Sequence, residues 1–188
     1  MELTIRPAKI EDASVLLEIY RYYVENTGVS MEHETPSLAA FQDRIRVLSE
    51  TYPYLVAEAD GEAVGYVYAA PYHPRAGFRW SAEASIYVRK DMRCAGIGKE
   101  LYAALEKALT EQGFYNLYAS IVSADAEDAY VTFNSLKFHS KMGFKVIGTF
   151  RNSCNKFGNW YHLVWMEKTL RAHLPNPIKP NCPNRETQ

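Results

Sequence analysis

The segment from Ser85 to Tyr102 places a β-rich run, a basic turn and the pattern R-x-x-G-x-G directly before an amphipathic helix. Arg93, Gly96 and Gly98 form the pattern. Backbone amides in such a loop and at the helix N-terminus can bind a pyrophosphate, because glycines permit close approach and the helix dipole favours an anion. The pattern lacks the third glycine of a dinucleotide fingerprint and the Lys-Ser/Thr pair of a Mg-nucleotide loop. Alone, it also fits a glycine-rich turn that only starts a helix.

A carboxylate precedes this loop in a strand that is otherwise short of charge. Glu83 lies in the run 81–88 and shares one strand face with Ser85 and Tyr87, by the two-residue period of a strand. A glutamate at this position is either solvated or a buried acid with a raised pKa that can take a proton from an ammonium group. The residues alone leave both interpretations open.

The elements that must position these groups follow from periodicity and turn residues. The pattern predicts strands at 3–6, 54–59, 64–70, 81–88, 117–122, 144–150 and 161–166, and helices from Asp12 to near Gly28, from Pro36 through Leu48, at 96–112 and at 129–142. Asp60-Gly61 predicts a hairpin between the second and third strands. The order is βααβββαβαββ, which is an α/β chain with a mixed sheet covered by helices.

Composition limits the classes of function. The chain has 188 residues, with 21 basic and 22 acidic side chains, so its net charge does not favour nucleic acid or anionic membranes as partners. No apolar run approaches the roughly 20 residues that span a bilayer, and no signal-peptide core is seen, which predicts a cytoplasmic protein. The three separated cysteines predict free thiols and no metal site. Residues 1–172 are expected to form one domain, with 173–188 as a proline-rich tail.

Several motifs in a fixed order resemble the GNAT N-acetyltransferase superfamily, and within it the phosphinothricin-type amino-acid acetyltransferases. Besides the R-x-x-G-x-G loop, the resemblance is carried by the segments 5–8, 52–58, 65–69, 80–88, 138–144 and 156–160. It spans most of residues 3–170. The resemblance implies the GNAT acyl-CoA N-acyltransferase fold, a mostly antiparallel mixed sheet flanked by helices, and acetyl-CoA as the co-substrate.

The resemblance also implies the positions that bind the co-substrate. The backbone of Ile86, Tyr87 and Val88 is expected to pair with the pantetheine arm, and the amide of Val88 to stabilise the oxyanion. The pyrophosphate is expected at the loop that contains Arg93, Cys94, Ala95, Gly96, Ile97, Gly98 and Lys99. Thr132 stands where the family usually has a CoA-contacting asparagine, and Asn134 is the expected replacement.

For the chemistry, the resemblance makes Glu83 the general base, by its match to the pattern W-T-x-E-x-S-x-Y-V. His139 is expected to protonate the departing thiolate, with Tyr130 as the alternative. Direct attack of the amine is expected, because no cysteine has a recognisable histidine partner in the sequence.

The acceptor side carries weaker signals. Met31 replaces the phenylalanine of a family element, and Arg75 and Phe78 lie in the loop from which the family reaches its substrate, where Arg75 could bind a carboxylate. Glu83 and Tyr161 complete the expected acceptor site. An ordinary exposed arginine and a core tyrosine explain Arg75 and Tyr161 equally well.

The function expected from the resemblance is acetyl transfer to the primary amine of a small, amino-acid-like molecule such as phosphinothricin or methionine sulfoximine. A sensor that binds acyl-CoA without turnover is the alternative, and a structural domain whose glycine loop binds nothing is a third interpretation. A homodimer is expected from the resemblance, with the tail lying across the partner.

Overall fold

The computed structural model describes residues 2–182. Within them, the β-rich runs form seven strands: β1 (Leu3–Pro7), β2 (Tyr54–Ala59), β3 (Glu62–Pro71), β4 (Ser81–Val88), β5 (Asn116–Ser123), β6 (Lys145–Lys156) and β7 (Asn159–Thr169). The helices are α1 (Ala13–Asn26), α2 (Leu38–Ser49), α3 (Ile97–Gln112) and α4 (Asn134–Lys141). The expected order βααβββαβαββ is confirmed.

Local chemistry sets several of these boundaries. The Ser37 hydroxyl accepts the amide of Ala40 and caps α2, which satisfies one of the unpaired donors at a helix start. Gly113 ends α3 in the left-handed conformation, with φ of 96°.

One sheet contains all seven strands, in the order β1-β2-β3-β4-β5-β7-β6. Neighbours are antiparallel except β4 and β5, which run parallel. The β4–β5 register covers only Ser81–Glu83 against Asn116–Tyr118. Strand β4 continues to Val88 paired with β3 alone, so a wedge opens between β4 and β5 beyond Glu83.

The two faces of the sheet are covered by different helices. Ala82 and Ala84 pack in the apolar core beneath α3, together with Leu101 and Leu105 of that helix. Tyr87 packs on the opposite face, in the cluster formed by α1 and α2. Because side chains alternate along a strand, Glu83 and Ser85 lie on the α1–α2 face with Tyr87.

The helix expected at 129–142 is shorter than predicted. It begins only at Asn134, because the carboxylate of Asp128 accepts the amides of Tyr130 and Val131, and that of Glu127 accepts the amide of Phe133. These bonds fix residues 128–133 as a loop.

The last two strands are longer than the expected 144–150 and 161–166. Strand β6 runs to Lys156 and β7 starts at Asn159, so the residues between the expected segments form a long hairpin.

The C-terminal segment packs on the domain as far as it is described. The Trp80 indole donates to the carbonyl of Ile178 at 2.8 Å, the Asn181 amide donates to the carbonyl of Gln112 at 2.7 Å, and His173 stacks on Tyr115. Residues 173–182 therefore contact α3 and the start of β4. Residues 183–188 of the expected tail lie outside the described residues. No helix within 2–182 is long and apolar enough to cross a bilayer.

Candidate active site

The open edge of β4, beyond its pairing with β5, turns backbone peptide groups toward the wedge. Both the amide and the carbonyl of Val88 contact the Tyr23 hydroxyl of α1, at 3.3 and 2.6 Å, whereas the next amide, of Arg89, donates to Val64 of β3. Peptide groups alternate along a strand, so Ile86 faces the wedge like Val88, and Tyr87 faces β3. Of the three residues expected to pair with pantetheine, Ile86 therefore turns its peptide groups to the wedge without a partner in residues 2–182, while those of Val88 are bound to the Tyr23 hydroxyl.

The R-x-x-G-x-G loop places a cluster of amides beside this edge. Cys94 and Gly96 have φ of 65° and 84°, so the chain turns sharply just before α3 begins. Within residues 2–182, the amides of Ala95, Ile97 and Gly98 meet no protein acceptor. This loop and the N-terminus of a 16-residue helix fit an anion such as the pyrophosphate of acetyl-CoA.

Lys99 and Arg93, which were expected to bind the pyrophosphate, both contact other groups of the protein. The amide of Lys99 donates to Gly96 within the first helical turn, so only its exposed ammonium is available to a phosphate. The Arg93 guanidinium lies over the rings of Tyr22 and Tyr23, 5.2 and 4.9 Å from their centroids, and its Nε donates to the Tyr23 hydroxyl at 3.3 Å. Tyr23 thus links the basic loop to the open edge at Val88.

Glu83 lies where the wedge begins. It is half-buried, and its Oε1 accepts a hydrogen bond from the Ser120 hydroxyl of β5 at 2.5 Å. Burial raises the pKa of Glu83 above its ordinary value, and the bond from Ser120 opposes that rise. A carboxylate in this state is suited to accept a proton from an amine.

The α1–α2 face of the sheet also carries an ion pair between Arg44 and Glu32. Tyr68 of β3 lies opposite Ser85, and Arg44 of α2 donates to the Glu32 carboxylate at 2.7 Å. The Arg44 guanidinium lies 5.5 Å from the ring of Tyr20. These groups and Glu83 place polar side chains around Tyr68 on the face of the sheet that α1 and α2 cover.

His139 lies on the other face of the sheet, buried between α3 and α4. Its Nδ1 lies 2.8 Å from the carbonyl of Ser135, which can only accept, so Nδ1 carries a proton. Its Nε2 lies 2.8 Å from the Tyr102 hydroxyl, which donates to the neutral ring. Burial lowers the pKa of His139, against the opposing effect of the Ser135 bond.

The remaining acceptor-site candidates are distributed over two regions. Arg75 and Phe78 are exposed on the β3–β4 loop, and Phe78 packs on Tyr72. Met31 packs instead on a small cluster that contains the buried Tyr161, whose hydroxyl donates to Asp128 at 2.8 Å. Tyr161 therefore packs against Met31 and anchors Asp128 of the 128–133 loop.

Tyr130 and Asn134 flank the start of α4. Tyr130 is exposed and stacks on Phe157, 4.1 Å between centroids. Asn134 is exposed as the first residue of α4, one turn before Phe138, which packs against Gly98 of the loop. Asn134 thus lies on the helix that borders the expected pyrophosphate site.

Distances along β4 separate two of the predicted roles. Glu83 and Val88 are five residues apart on a strand whose register with β3 is continuous, which corresponds to about 16 Å. A thioester carbonyl bound to the Val88 amide would therefore lie too far from Glu83 for one attacking amine to contact both. Ile86, three residues from Glu83, is about 10 Å away and also faces the wedge.

Sequence reasoning missed Ser120, Tyr23, Arg44 and Tyr102 as site residues. Ser120 alone left a usable signal, since it is the one polar residue within the run 117–122. Tyr23 and Tyr102 fitted apolar helical periodicity, which hid their hydroxyl contacts. Across residues 2–182, no group of three or more histidine, cysteine or acidic side chains is placed to hold a metal ion.

Comparison with known proteins agrees with this geometry. The acetyltransferase (GNAT) domain model matches residues 5–165, and the chain belongs to this family of acetyltransferases. The fold predicted from the resemblance is thereby confirmed.

The chain is also similar to individual acetyltransferases over most of its length. The chain is 30% identical over 177 residues to a phosphinothricin N-acetyltransferase of Streptomyces viridochromogenes, covering 94% of this chain and 93% of the relative. It is 35% identical over 176 residues to an L-methionine sulfoximine/L-methionine sulfone acetyltransferase of Pseudomonas aeruginosa, covering 90% and 96%. A phosphinothricin acetyltransferase of Sinorhizobium meliloti, solved with acetyl-CoA, superposes with a TM-score of 0.85 at 29% identity, covering 96% and 97%.

Proposed function

We propose that this enzyme transfers the acetyl group of acetyl-CoA to the primary amine of a small amino-acid-like compound by direct attack. The observation that carries the proposal is the position of Glu83, a half-buried carboxylate at the point where β4 and β5 part. A ligand arm lying along the open edge of β4 would bring its reactive end to this carboxylate. The relatives that act on phosphinothricin and methionine sulfoximine support the substrate class.

Glu83 acts as the general base in this proposal. The acceptor nitrogen loses two protons overall, and Glu83 accepts the first, directly or through one water. The nitrogen then bonds to the thioester carbon, and the carbon–sulfur bond breaks with its electron pair on sulfur. Because Glu83 lies on the α1–α2 face, we place the acceptor amine on that face, with Arg44 and Glu32 nearby.

The amide of Ile86 is the proposed oxyanion donor. It faces the wedge and is close enough to Glu83 for a carboxylate, an amine and a carbonyl to fit between them. Val88, at the end of β4 next to the anion-binding loop, is then assigned to the pantetheine arm rather than to the reacting carbonyl. This replaces the role expected for Val88 from the sequence.

His139 is the proposed proton donor to the thiolate, together with Tyr102. Its Nδ1 proton is committed to Ser135, so the proton given to sulfur is one that His139 takes up and releases at Nε2, where the Tyr102 hydroxyl is bound. Acid and base then lie on opposite faces of the sheet. The proton taken by Glu83 leaves to solvent, the second proton of the nitrogen is released to water when the carbon–sulfur bond breaks, and solvent returns a proton to His139. The products are an N-acetyl compound and CoA thiol.

Direct transfer is supported by the cysteines. Cys94 is exposed on the anion-binding loop, and Cys154 is half-buried with its thiol directed at the carbonyl of Tyr161. Burial raises the pKa of Cys154, which disfavours the nucleophilic thiolate.

Arg75 is the proposed partner of the substrate carboxylate. It is exposed on the β3–β4 loop, and its guanidinium has no hydrogen-bond partner within the described chain. Arg79 of the same loop donates to the carbonyl of Ala76 and lies over Trp80, so it provides a matched control. Arg75→Met is expected to raise KM for an amino-acid acceptor about tenfold, as for loss of one charge-assisted bond. Arg79→Met should leave KM within twofold, and equal KM values for both variants would reject the assignment.

Thiol release with a panel of amines tests the activity itself. The panel should contain phosphinothricin, methionine sulfoximine, common amino acids and polyamines. Release of CoA that depends on an amino-acid-like acceptor supports the proposed function. Binding of acetyl-CoA by calorimetry without release for any amine would instead support an acyl-CoA sensor, and no binding at all would reject both.

We also propose that the enzyme is a cytoplasmic homodimer that uses the edge strand β6. Val146, Phe150 and Trp160 of the β6–β7 hairpin are each more than half exposed, and within residues 2–182 β6 is an edge strand that pairs only with β7. Sedimentation should show a dimer that Phe150→Glu converts to a monomer. Val47→Glu, a change on exposed α2, is the control. A wild-type monomer at micromolar concentration would contradict the dimer.

A further inference from the structure

Ser120 contacts the candidate base from the opposite side of the wedge. The last paired residues of β4 and β5 are Glu83 and Tyr118. Ser120 follows Tyr118 by two positions, so it lies on the same sheet face, where β5 has begun to diverge from β4. Its hydroxyl donates to Oε1 of Glu83 at 2.5 Å, and no other hydrogen bond to the Glu83 side chain is found within residues 2–182.

We propose that Ser120 is a positioning residue for the general base, holding Oε1 of Glu83 so that Oε2 faces the acceptor ammonium. This inference rests on the proposed function, in which Glu83 accepts that proton. A glutamate side chain has several rotatable bonds and two equivalent oxygens, so an unanchored carboxylate at the mouth of a wedge would sample many orientations. One short charge-assisted bond from the opposing strand removes most of that freedom.

The bond also favours the ionised carboxylate. Burial raises the pKa of Glu83, and a donor to the charged form counteracts this effect. Ser120 therefore keeps the base available at a lower pH than burial alone would allow.

Few other groups around Glu83 titrate near neutral pH. Five tyrosines on the surrounding elements have a pKa raised above the ordinary value, chiefly by burial, and stay neutral: Tyr20 of α1, Tyr68 of β3, Tyr87 of β4, Tyr102 of α3 and Tyr118 of β5. Arg44 and Glu32 form an ion pair. His73 lies on the β3–β4 loop, and the measurement is made in a His73→Gln background.

The test compares kcat/KM for the amine, at saturating acetyl-CoA, between pH 5.5 and 9.5. Ser120→Ala and Ser120→Val remove the hydroxyl, and Ser120→Thr keeps it in a side chain of the same shape as valine. The Ala and Val variants are expected to lose about tenfold at pH 6, since loss of a bond to a charged group costs on the order of 1.5 kcal/mol. At pH 9, where Glu83 is ionised, a smaller loss should remain, because the carboxylate is no longer held toward the ammonium. Ser120→Thr should restore the wild-type profile.

Other outcomes distinguish the inference from the proposed function. An equal loss at every pH in the Ala and Val variants, or no loss at any pH, would overturn the positioning role. If Glu83→Gln abolishes turnover while the Ser120 variants keep the wild-type profile, only the positioning role fails. If Glu83→Gln keeps normal turnover, the proposed base itself fails. The acetyl-CoA dissociation constant of every Ser120 variant serves as the folding control and should be unchanged.

Discussion

Gly96 and Gly61 form a matched pair of positions for testing the anion-binding loop. Both have φ of +84°, and a methyl group added at either glycine would meet no heavy atom of the described chain within 4 Å. An L-residue in this left-handed conformation costs roughly 1–2 kcal/mol. Gly96→Ala and Gly61→Ala are therefore expected to lower the free energy of unfolding by similar amounts, and the thermal midpoint by roughly 2–8 °C.

Only Gly96 lies in the loop that presents amides to the proposed pyrophosphate. A methyl group there forces the loop to relax or projects into the anion site, while Gly61 lies in the distant β2–β3 hairpin. Loss of one amide bond to a charged phosphate costs about 1.5–3 kcal/mol. The acetyl-CoA dissociation constant should therefore rise roughly 10- to 100-fold in Gly96→Ala.

Calorimetric titration of acetyl-CoA into both variants measures this difference, with thermal melts to show that the backbone cost is matched. Gly61→Ala should bind within twofold of wild type. Equal dissociation constants for wild type and Gly96→Ala, in folded proteins, would refute the assignment of this loop to the pyrophosphate.

Three further predictions concern parts of the fold that support the site. Lys156 is buried, and its ammonium donates to the carbonyls of Thr27 and Ser30 at 3.1 and 2.6 Å, so Lys156→Met should destabilise the fold by about 2 kcal/mol. Chemical denaturation measures this loss, and an unchanged midpoint would contradict it. Deletion of residues 173–188 removes the bonds of Ile178 and Asn181 and should lower the thermal midpoint by roughly 5–10 °C, whereas an unchanged midpoint would show that this packing contributes no stability. Burial lowers the pKa of His139, so below pH 6.5 the unfolded chain binds a proton that the folded chain does not. The free energy of unfolding should therefore decrease as the pH is lowered below 6.5. Denaturation at pH 7.5 and 5.5 should show a smaller loss in His139→Gln than in wild type, and identical losses would reject this source.

Local patterns predicted most of the fold. Strand alternation and helical periodicity depend only on residues close in sequence, so both can be recognised without the structure. The predicted order of the eleven helices and strands was confirmed. The prediction was wrong at 129–133, where the residues have helical periodicity but the carboxylates of Glu127 and Asp128 bind backbone amides outside a helix. Side chains that compete for the backbone in this way are difficult to detect from periodicity alone.

The sequence predicted only those candidate site residues that lie in one continuous segment of the chain. Glu83 and the glycine loop lie within 16 residues of each other, and their spacing indicated the arrangement. The contacts of Glu83 with Ser120 and of Val88 with Tyr23 join residues 37 and 65 positions apart, and no local pattern encodes them. They depend on how β5 and α1 meet the sheet.

Turnover and cofactor affinity of Glu83→Gln, measured side by side, test whether Glu83 is the general base. Glutamine keeps the size of the side chain and an oxygen that can accept the Ser120 bond, but it cannot take up a proton from the ammonium. We predict a fall in kcat of about 100-fold or more, with the acetyl-CoA dissociation constant within twofold of wild type. Glu111→Gln, an exposed change on α3, should leave both quantities unaltered. Near-normal turnover in Glu83→Gln would show that Glu83 is not the general base.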